Sequence, residues 1–211
     1  MKHPNILRLY TCLEDTKFFY LVLEYTAEGN LFNWIRKVKA FTEHEAAFFF
    51  IQTVVGFYYM HKNGFIHRDL KPENLLVFKS DQSYSVKICD FTWTLELEEK
   101  LDGMEERKTF CGTFEYMAPE MLNEETHNYQ IDVWSLGILL FELVHGHAPF
   151  RGTNQMTVKT AIKKKIAKIP FKDGLSKEYK DLVYQFLTND CNQRIPLIKV
   201  FVHPWVKKFE D

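Results

Sequence analysis

Neither sign of charge is in excess: 27 Lys and Arg stand against 28 Asp and Glu in 211 residues, a formal net charge of -1. That balance argues against a general nucleic-acid binder, which needs a basic surplus for its phosphate partners. Cysteine is scarce as well. Cys12, Cys89, Cys111 and Cys191 are scattered without CxxC or Cys/His ligand spacing, so neither a disulfide framework nor a zinc site is signalled, and a reducing compartment is the natural one. Long hydrophobic runs are missing. The most apolar stretch, Ile131 to Val144, is short for a membrane span and is interrupted by Asp132 and Glu142. The first residues lack the charged-then-apolar layout of a signal peptide. A soluble intracellular protein is the expectation, in cytoplasm or nucleus, with no membrane partner.

What the chain has is apolar mass. It is 46% hydrophobic and 16% aromatic, enough to offset chain entropy in one large or two-lobed unit. Leu7 to Leu13 and Lys17 to Tyr25 are β-rich runs around Glu14-Asp15-Thr16, which predicts an antiparallel hairpin. Two strands alone are marginal in water, so these need sheet partners, which sequence before Met1 would supply, or a helical surface beneath. Thr42 and Glu45 form a T-x-x-E capping box that opens a helix to about Lys62, stopped by Gly64. Ile131 to His145 predicts a second helix, ended by Gly146. Both are apolar all round, as helices buried on several sides are. Short strands are expected at Asn74 to Phe78 and Tyr84 to Cys89. Charge is uneven, acidic from Glu96 to Glu106 and basic from Lys159 to Lys168; solvated surface is the plain reading of both.

The chemistry concentrates in His67-Arg68-Asp69-Leu70-Lys71-Pro72-Glu73-Asn74. Phosphoryl transfer calls for this set: a carboxylate to orient and deprotonate a hydroxyl, a cation for the moving phosphate and an oxygen ligand for magnesium. Asp90-Phe91 follows at the end of the second strand pair, where another hard oxygen ligand is expected. Ala118-Pro119-Glu120 and Asp132-x-Trp134-Ser135-x-Gly137 come next in order. In that order and spacing the motifs resemble the catalytic lobe of a eukaryotic protein kinase. His3-Pro4-Asn5-Ile6-Leu7-Arg8-Leu9-Tyr10, Trp93 after the DFG-like triplet, Cys111-Gly112-Thr113 and Pro119-Glu120-Met121 are most similar to the Aurora type. The fold so implied is α+β and mainly helical, a kinase carboxy-terminal lobe over residues 26–211 with two remaining amino-terminal-lobe strands and the hinge in residues 1–25.

The resemblance implies residue roles. Asp69 is the catalytic base, Lys71 contacts the γ-phosphate and Thr113 bridges the two, a serine/threonine pattern. ATP is held around Leu23, Glu24, Tyr25, Thr26, Glu73, Asn74, Leu76 and Asp90, with Leu23 as gatekeeper, the backbone of Glu24 and Thr26 on the adenine and Leu76 as floor. Asn74 and Asp90 hold Mg2+. For Leu23 and Leu76 core packing is expected in any case. Glu120 is expected to pair with Arg194. Thr109, in Arg107-Lys108-Thr109-Phe110, matches the activating phosphosite, with Arg68 to receive the phosphate. Protein substrates carrying basic residues before the target Ser or Thr are implied, Glu73 receiving an arginine two residues upstream; Arg107 stands two residues before Thr109. The resemblance also allows a regulatory protein partner and a place on spindle, centrosome or chromosome.

Two features depart from the resemblance. No G-x-G-x-x-G occurs anywhere, nor a VAIK-like strand or helix-C glutamate, so the residues that grip the nucleotide phosphates are missing from these 211 residues. Thr92 stands where the triplet has glycine, and a β-branched residue there is expected to restrict the backbone. Two readings therefore remain open: a serine/threonine kinase represented by an incomplete chain, or a non-catalytic kinase-like binding module.

Overall fold

The computed structural model describes residues 1–81, 83–96 and 113–210. Among them are eight helices: α1 (Leu31–Val38), α2 (Glu43–Lys62), α3 (Pro119–Leu122), α4 (Gln130–His145), α5 (Gln155–Lys165), α6 (Lys177–Phe186), α7 (Leu197–Val200) and α8 (Pro204–Lys207). The capping box forms at α2, where the Glu45 amide donates to Thr42 Oγ1 at 3.3 Å and the Thr42 amide to Glu45 Oε2 at 2.9 Å. The two all-apolar helices α2 and α4 pack together at the centre of the lobe. Phe50, Phe57, Trp134 and Phe141 are wholly buried between them and their neighbours. Gly146 ends α4 with φ +77°, and a side chain there would meet the Lys39 carbonyl at 2.0 Å, so only glycine fits. Glycine matters again inside α4, where a Cβ on Gly137 would lie 2.5 Å from Phe186 Cβ of α6.

Six strands, β1 (Leu9–Glu14), β2 (Phe19–Leu23), β3 (Phe65–Ile66), β4 (Leu75–Lys79), β5 (Tyr84–Ile88) and β6 (Leu95–Glu96), form three antiparallel pairs, β1 with β2, β3 with β6 and β4 with β5. The expected strands near residues 75 and 85 are present, and the β3–β6 pair adds one that two-residue strands leave too little periodicity to reveal. In the β4–β5 register Leu75 faces Ile88 and Val77 faces Val86. All four are fully buried, with β5 packed on α2 and β4 on α1, so the strand period of two turns Leu76 and Phe78 to the opposite face.

The β1–β2 hairpin differs in kind. Every residue of both strands is exposed, and among the described residues no helical surface lies beneath them. It is tied to the lobe by backbone bonds, Leu7 N to Ile88 O and Ile88 N to Asn5 O, each 2.9 Å, and by a Lys87–Glu24 ion pair at 2.6 Å. Core packing for Leu23 is therefore wrong: it is 44% exposed, because nothing among the described residues covers that face. Leu76 is half-buried.

Open strand edges beside Leu13, Phe19 and Leu21, each more than half exposed, are a template for association. Sedimentation velocity on the chain is expected to show concentration-dependent oligomers. The triple variant Leu13→Lys, Phe19→Glu, Leu21→Lys is expected to sediment as a monomer with unchanged helical circular dichroism. A monomeric wild type would count against this.

Candidate active site

One carboxylate organises the loop that follows β3. Asp132, in the first turn of α4, is fully buried. Its Oδ1 accepts the Arg68 amide at 2.9 Å, and its Oδ2 accepts the His67 amide at 2.9 Å and lies 2.8 Å from His61 Nε2 on α2. Burial pushes the Asp132 carboxyl up, yet the hydrogen bond and charge of His61 and the Arg68 amide bring it below its usual value. A helix amino-terminus favours that negative charge further. Pinned at two successive amides, the chain turns at Arg68 with φ +70°, a left-handed conformation that costs a residue with a side chain about 1–2 kcal/mol.

The turn sets the side chains on either side of it. His67 is buried, and desolvation lowers its pKa, so the ring is neutral. Its Nδ1 accepts the Asp69 amide at 3.3 Å and its Nε2 donates to the Cys89 carbonyl at 3.1 Å. Arg68 Nε donates to the Trp93 carbonyl at 2.6 Å, while Nη1 is buried without a partner among the described residues. Asp69 is 5% exposed. Its Oδ2 accepts Lys71 Nζ at 2.7 Å and Asn74 Nδ2 at 3.1 Å, whereas its Oδ1 is buried with no partner among the described residues. A buried carboxylate oxygen left open is costly, and such atoms mark sites that await a donor.

Asn74 donates through Nδ2 to the Asp69 carbonyl as well, at 2.8 Å, leaving its amide oxygen for another partner. The bond from Cys89 N to Asn74 O, 2.9 Å, brings the end of β5 against it, and Asp90 with it. Asp90 is exposed and also left-handed, φ +61°. Thr92 Oγ1 donates to its Oδ1 at 2.6 Å, with the Thr92 amide at 3.3 Å. Thr92 itself is not among the residues of positive φ, so the conformation held here does not call for glycine. The hydroxyl gives Asp90 a bond that glycine could not.

The remaining expected residues are only partly gathered. Thr26 Oγ1 donates to the Val77 carbonyl at 2.6 Å, seating the hinge stretch on β4 beside Leu76. The Glu24 amide is already bonded to the Arg8 carbonyl at 2.9 Å, and Tyr25 is 84% exposed. Thr113 lines a small cleft with Arg68 and Asp69, and no hydrogen bond joins it to Asp69 or Lys71 among the described residues. Glu120 is paired as expected, with Arg194 Nη1 and Nη2 at 2.6 and 2.7 Å from its two oxygens. Arg107, Thr109 and Phe110 lie outside the described residues. Sequence reasoning missed an acidic group beside the loop: Glu142 accepts Tyr116 Oη at 2.7 Å, and burial first, then the charges of Glu73 and Glu115, raise its pKa. No cluster of three or more His, Cys, Asp or Glu suited to a metal occurs among the described residues.

A family profile described as "Protein kinase domain" matches residues 1–206. The chain belongs to the protein kinase family. "Serine/threonine-protein kinase Aurora-1" of Arabidopsis thaliana is 38% identical over 100% of the chain, which covers 69% of that protein. "Aurora kinase" of Dictyostelium discoideum is 38% identical over 99% of the chain, covering 52% of it. "Serine/threonine-protein kinase GIN4" of Saccharomyces cerevisiae is 40% identical over 99% of the chain, but the chain covers only 18% of it. The type is Aurora, a serine/threonine kinase by resemblance, and the mainly helical lobe with its residual strands fits a kinase carboxy-terminal lobe. No helix among the described residues is long and apolar enough to cross a membrane.

In this kinase lobe the Asp90 carboxyl is held below its usual pKa, first by the Thr92 hydroxyl. Thr92→Val keeps the shape and removes that donor. Its Asp90 titration midpoint, followed by carboxyl carbon NMR, is expected to rise toward the ordinary aspartate range. Because a depressed folded pKa favours the fold above the unfolded pKa, that contribution fades as pH falls through the folded value; the variant is expected to lose stability near neutrality and none at the acid end. An unchanged midpoint contradicts the role given to Thr92.

Proposed function

We propose that the site transfers the γ-phosphate of ATP to serine and threonine hydroxyls of proteins. The observation that supports this most is the state of Asp69: one carboxylate oxygen is fixed by Lys71 and Asn74, and the other is buried and open. An incoming hydroxyl supplies the missing donor. As its oxygen bonds to phosphorus and the bond to the leaving diphosphate oxygen breaks, its proton passes to Asp69 Oδ1. Lys71 sets a positive charge beside the reacting group, and Thr113, which lines a small cleft with Asp69, bridges Asp69 and Lys71 on this reading. The donor set suits magnesium, with a carboxylate at Asp90 and an amide oxygen at Asn74 and the remaining ligands left to phosphate and water. Bound there, Mg2+ neutralises phosphate charge. The hinge from Leu23 to Thr26 and the outward face of Leu76 form one wall for adenine. Residues 1–25 act as strands and hinge of a nucleotide-binding lobe, and residues 26–211 as the helical catalytic lobe.

Substrate preference follows from charge. Glu73 is exposed, and its field reaches Glu142 together with that of Glu115. Arg151 already offsets part of the charge at Glu142, whereas the exposed Glu73 carboxylate is free to meet an incoming guanidinium, so peptides with arginine two residues before the target are preferred. Arg107 and Thr109 satisfy that spacing, which favours phosphorylation of one copy by another at Thr109. The buried, unpartnered Arg68 Nη1 is the group to receive the phosphate. A regulatory protein partner and a spindle, centrosome or chromosome location are proposed by family alone.

The second reading, a non-catalytic binding module, rests on one fact: no phosphate-gripping glycine loop or strand lysine occurs in these residues. Because phosphoryl transfer is mostly positioning and charge stabilisation, the chain by itself is expected to transfer phosphate very slowly. Joined to the amino-terminal lobe of an Aurora relative, it is expected to phosphorylate a basic serine peptide, with Asp69→Asn lowering kcat by about 100-fold or more. Glu73→Gln is expected to erase most of the preference for arginine over alanine at the second position before serine. A joined protein with no activity, or one indifferent to Asp69→Asn, overturns the catalytic reading and leaves the binding module.

A further inference from the structure

The carboxy-terminal end of α2, the start of α4 and the start of α7 line a cleft of about 240 Å³. Tyr58, Tyr129, Val133, Leu197 and Ile198 give it apolar walls, and His61 and Lys62 stand among them; among the described residues no carboxylate lines it. Lys62 Nζ sits 6.0 Å from the Tyr58 ring centroid and has no ion pair among the described residues. Apolar walls around a few convergent polar groups are the composition of a small-molecule site. The volume falls below the roughly 300–1,000 Å³ usual for drug-sized ligands, which limits the occupant to one or two fused rings.

We propose that this cleft binds a small aromatic carboxylate, its rings between Tyr58, Tyr129 and Val133 and its anionic group toward Lys62. Nothing in the catalytic reading requires the site, and its test reads binding alone. A second consequence follows from His61, which is a wall of the cleft and also one of the three donors on Asp132. An occupant that bears on this ring bears on the carboxylate that pins His67 and Arg68. Binding is thus coupled to the conformation of the loop, and the coupling is reciprocal.

The experiment is fluorine-observed NMR on the full chain at one fixed pH, with a fluorinated naphthoate as probe and its primary amide as the uncharged control. Saturable, submillimolar binding of the naphthoate is expected, and weaker binding of the amide. Ile198→Trp, at a position 53% exposed and so tolerant of bulk, fills the mouth and is expected to weaken the naphthoate about tenfold or more. Lys62→Met is expected to weaken the naphthoate about three- to fivefold, as loss of one exposed ion pair does, and to leave the amide unchanged. In backbone spectra of the same titration the His67 and Arg68 amides are expected to shift along with the signals lining the cleft. Absence of saturable binding, binding indifferent to Ile198→Trp, an amide that binds as tightly as the carboxylate, or unmoved loop amides would each overturn the corresponding part of the proposal.

Discussion

The buried carboxylate of Asp132 is the constraint from which the site is built. Taking an ion out of water costs several kcal/mol unless it is met by donors, and here three converge: two successive loop amides and the His61 ring. In return the loop is held in a turn it would not adopt alone, with Arg68 at positive φ. The consequence is steric. With His67 and Arg68 fixed, Asp69 is directed inward, and Lys71 and Asn74 fall within hydrogen-bond reach of one of its oxygens while the other stays open.

The first turn of α4 carries more than this one contact. Arg194, fully buried, joins Glu120 of α3 in a two-pronged ion pair, donates to the Gln130 carbonyl at 2.8 Å and lies 5.2 Å from the Trp134 ring. One helix start therefore holds both the loop before the site and the segment after it. Such a junction is rigid because each charge in it is paired; removing one partner leaves a buried ion uncompensated. Against that rigidity stands the hinge and hairpin at the other end, with apolar side chains exposed along both strands. The helical lobe is well packed, and the two hairpin strands are not.

Much of this was legible in the sequence. The capping box at Thr42, the glycine stop at Gly146 and the Glu120–Arg194 pair are local or motif-borne signals, and the structure has them. The ordered motifs located the site because few arrangements place a carboxylate, an ammonium and an amide so close together. What escaped was long-range. Asp132 counted in the sequence as one member of an ordered motif and, with Glu142, as a break in a membrane span, with no partner assigned to either; yet a charge inside an apolar helix has to be met by something, and these two meet the loop amides and Tyr116. Their partners lie far away in sequence, which periodicity cannot see. The exposure of Leu23 was hidden for a related reason: an apolar residue in a strand pattern reads as core whether or not a partner covers it. For Thr92 only the backbone was weighed; the hydroxyl bond to Asp90 Oδ1 is a contact that a backbone argument does not show.

The central claim is that Asp132, through two amide hydrogen bonds, fixes the loop bearing Asp69. Amide hydrogen exchange at His67 and Arg68 measures this directly. In Asp132→Asn one acceptor oxygen becomes a donor, so at most one of the two amides keeps its bond. The account predicts that exchange at this pair accelerates strongly while the buried amides of α2 keep their protection. Unchanged protection at both His67 and Arg68 in a variant that remains folded would contradict it.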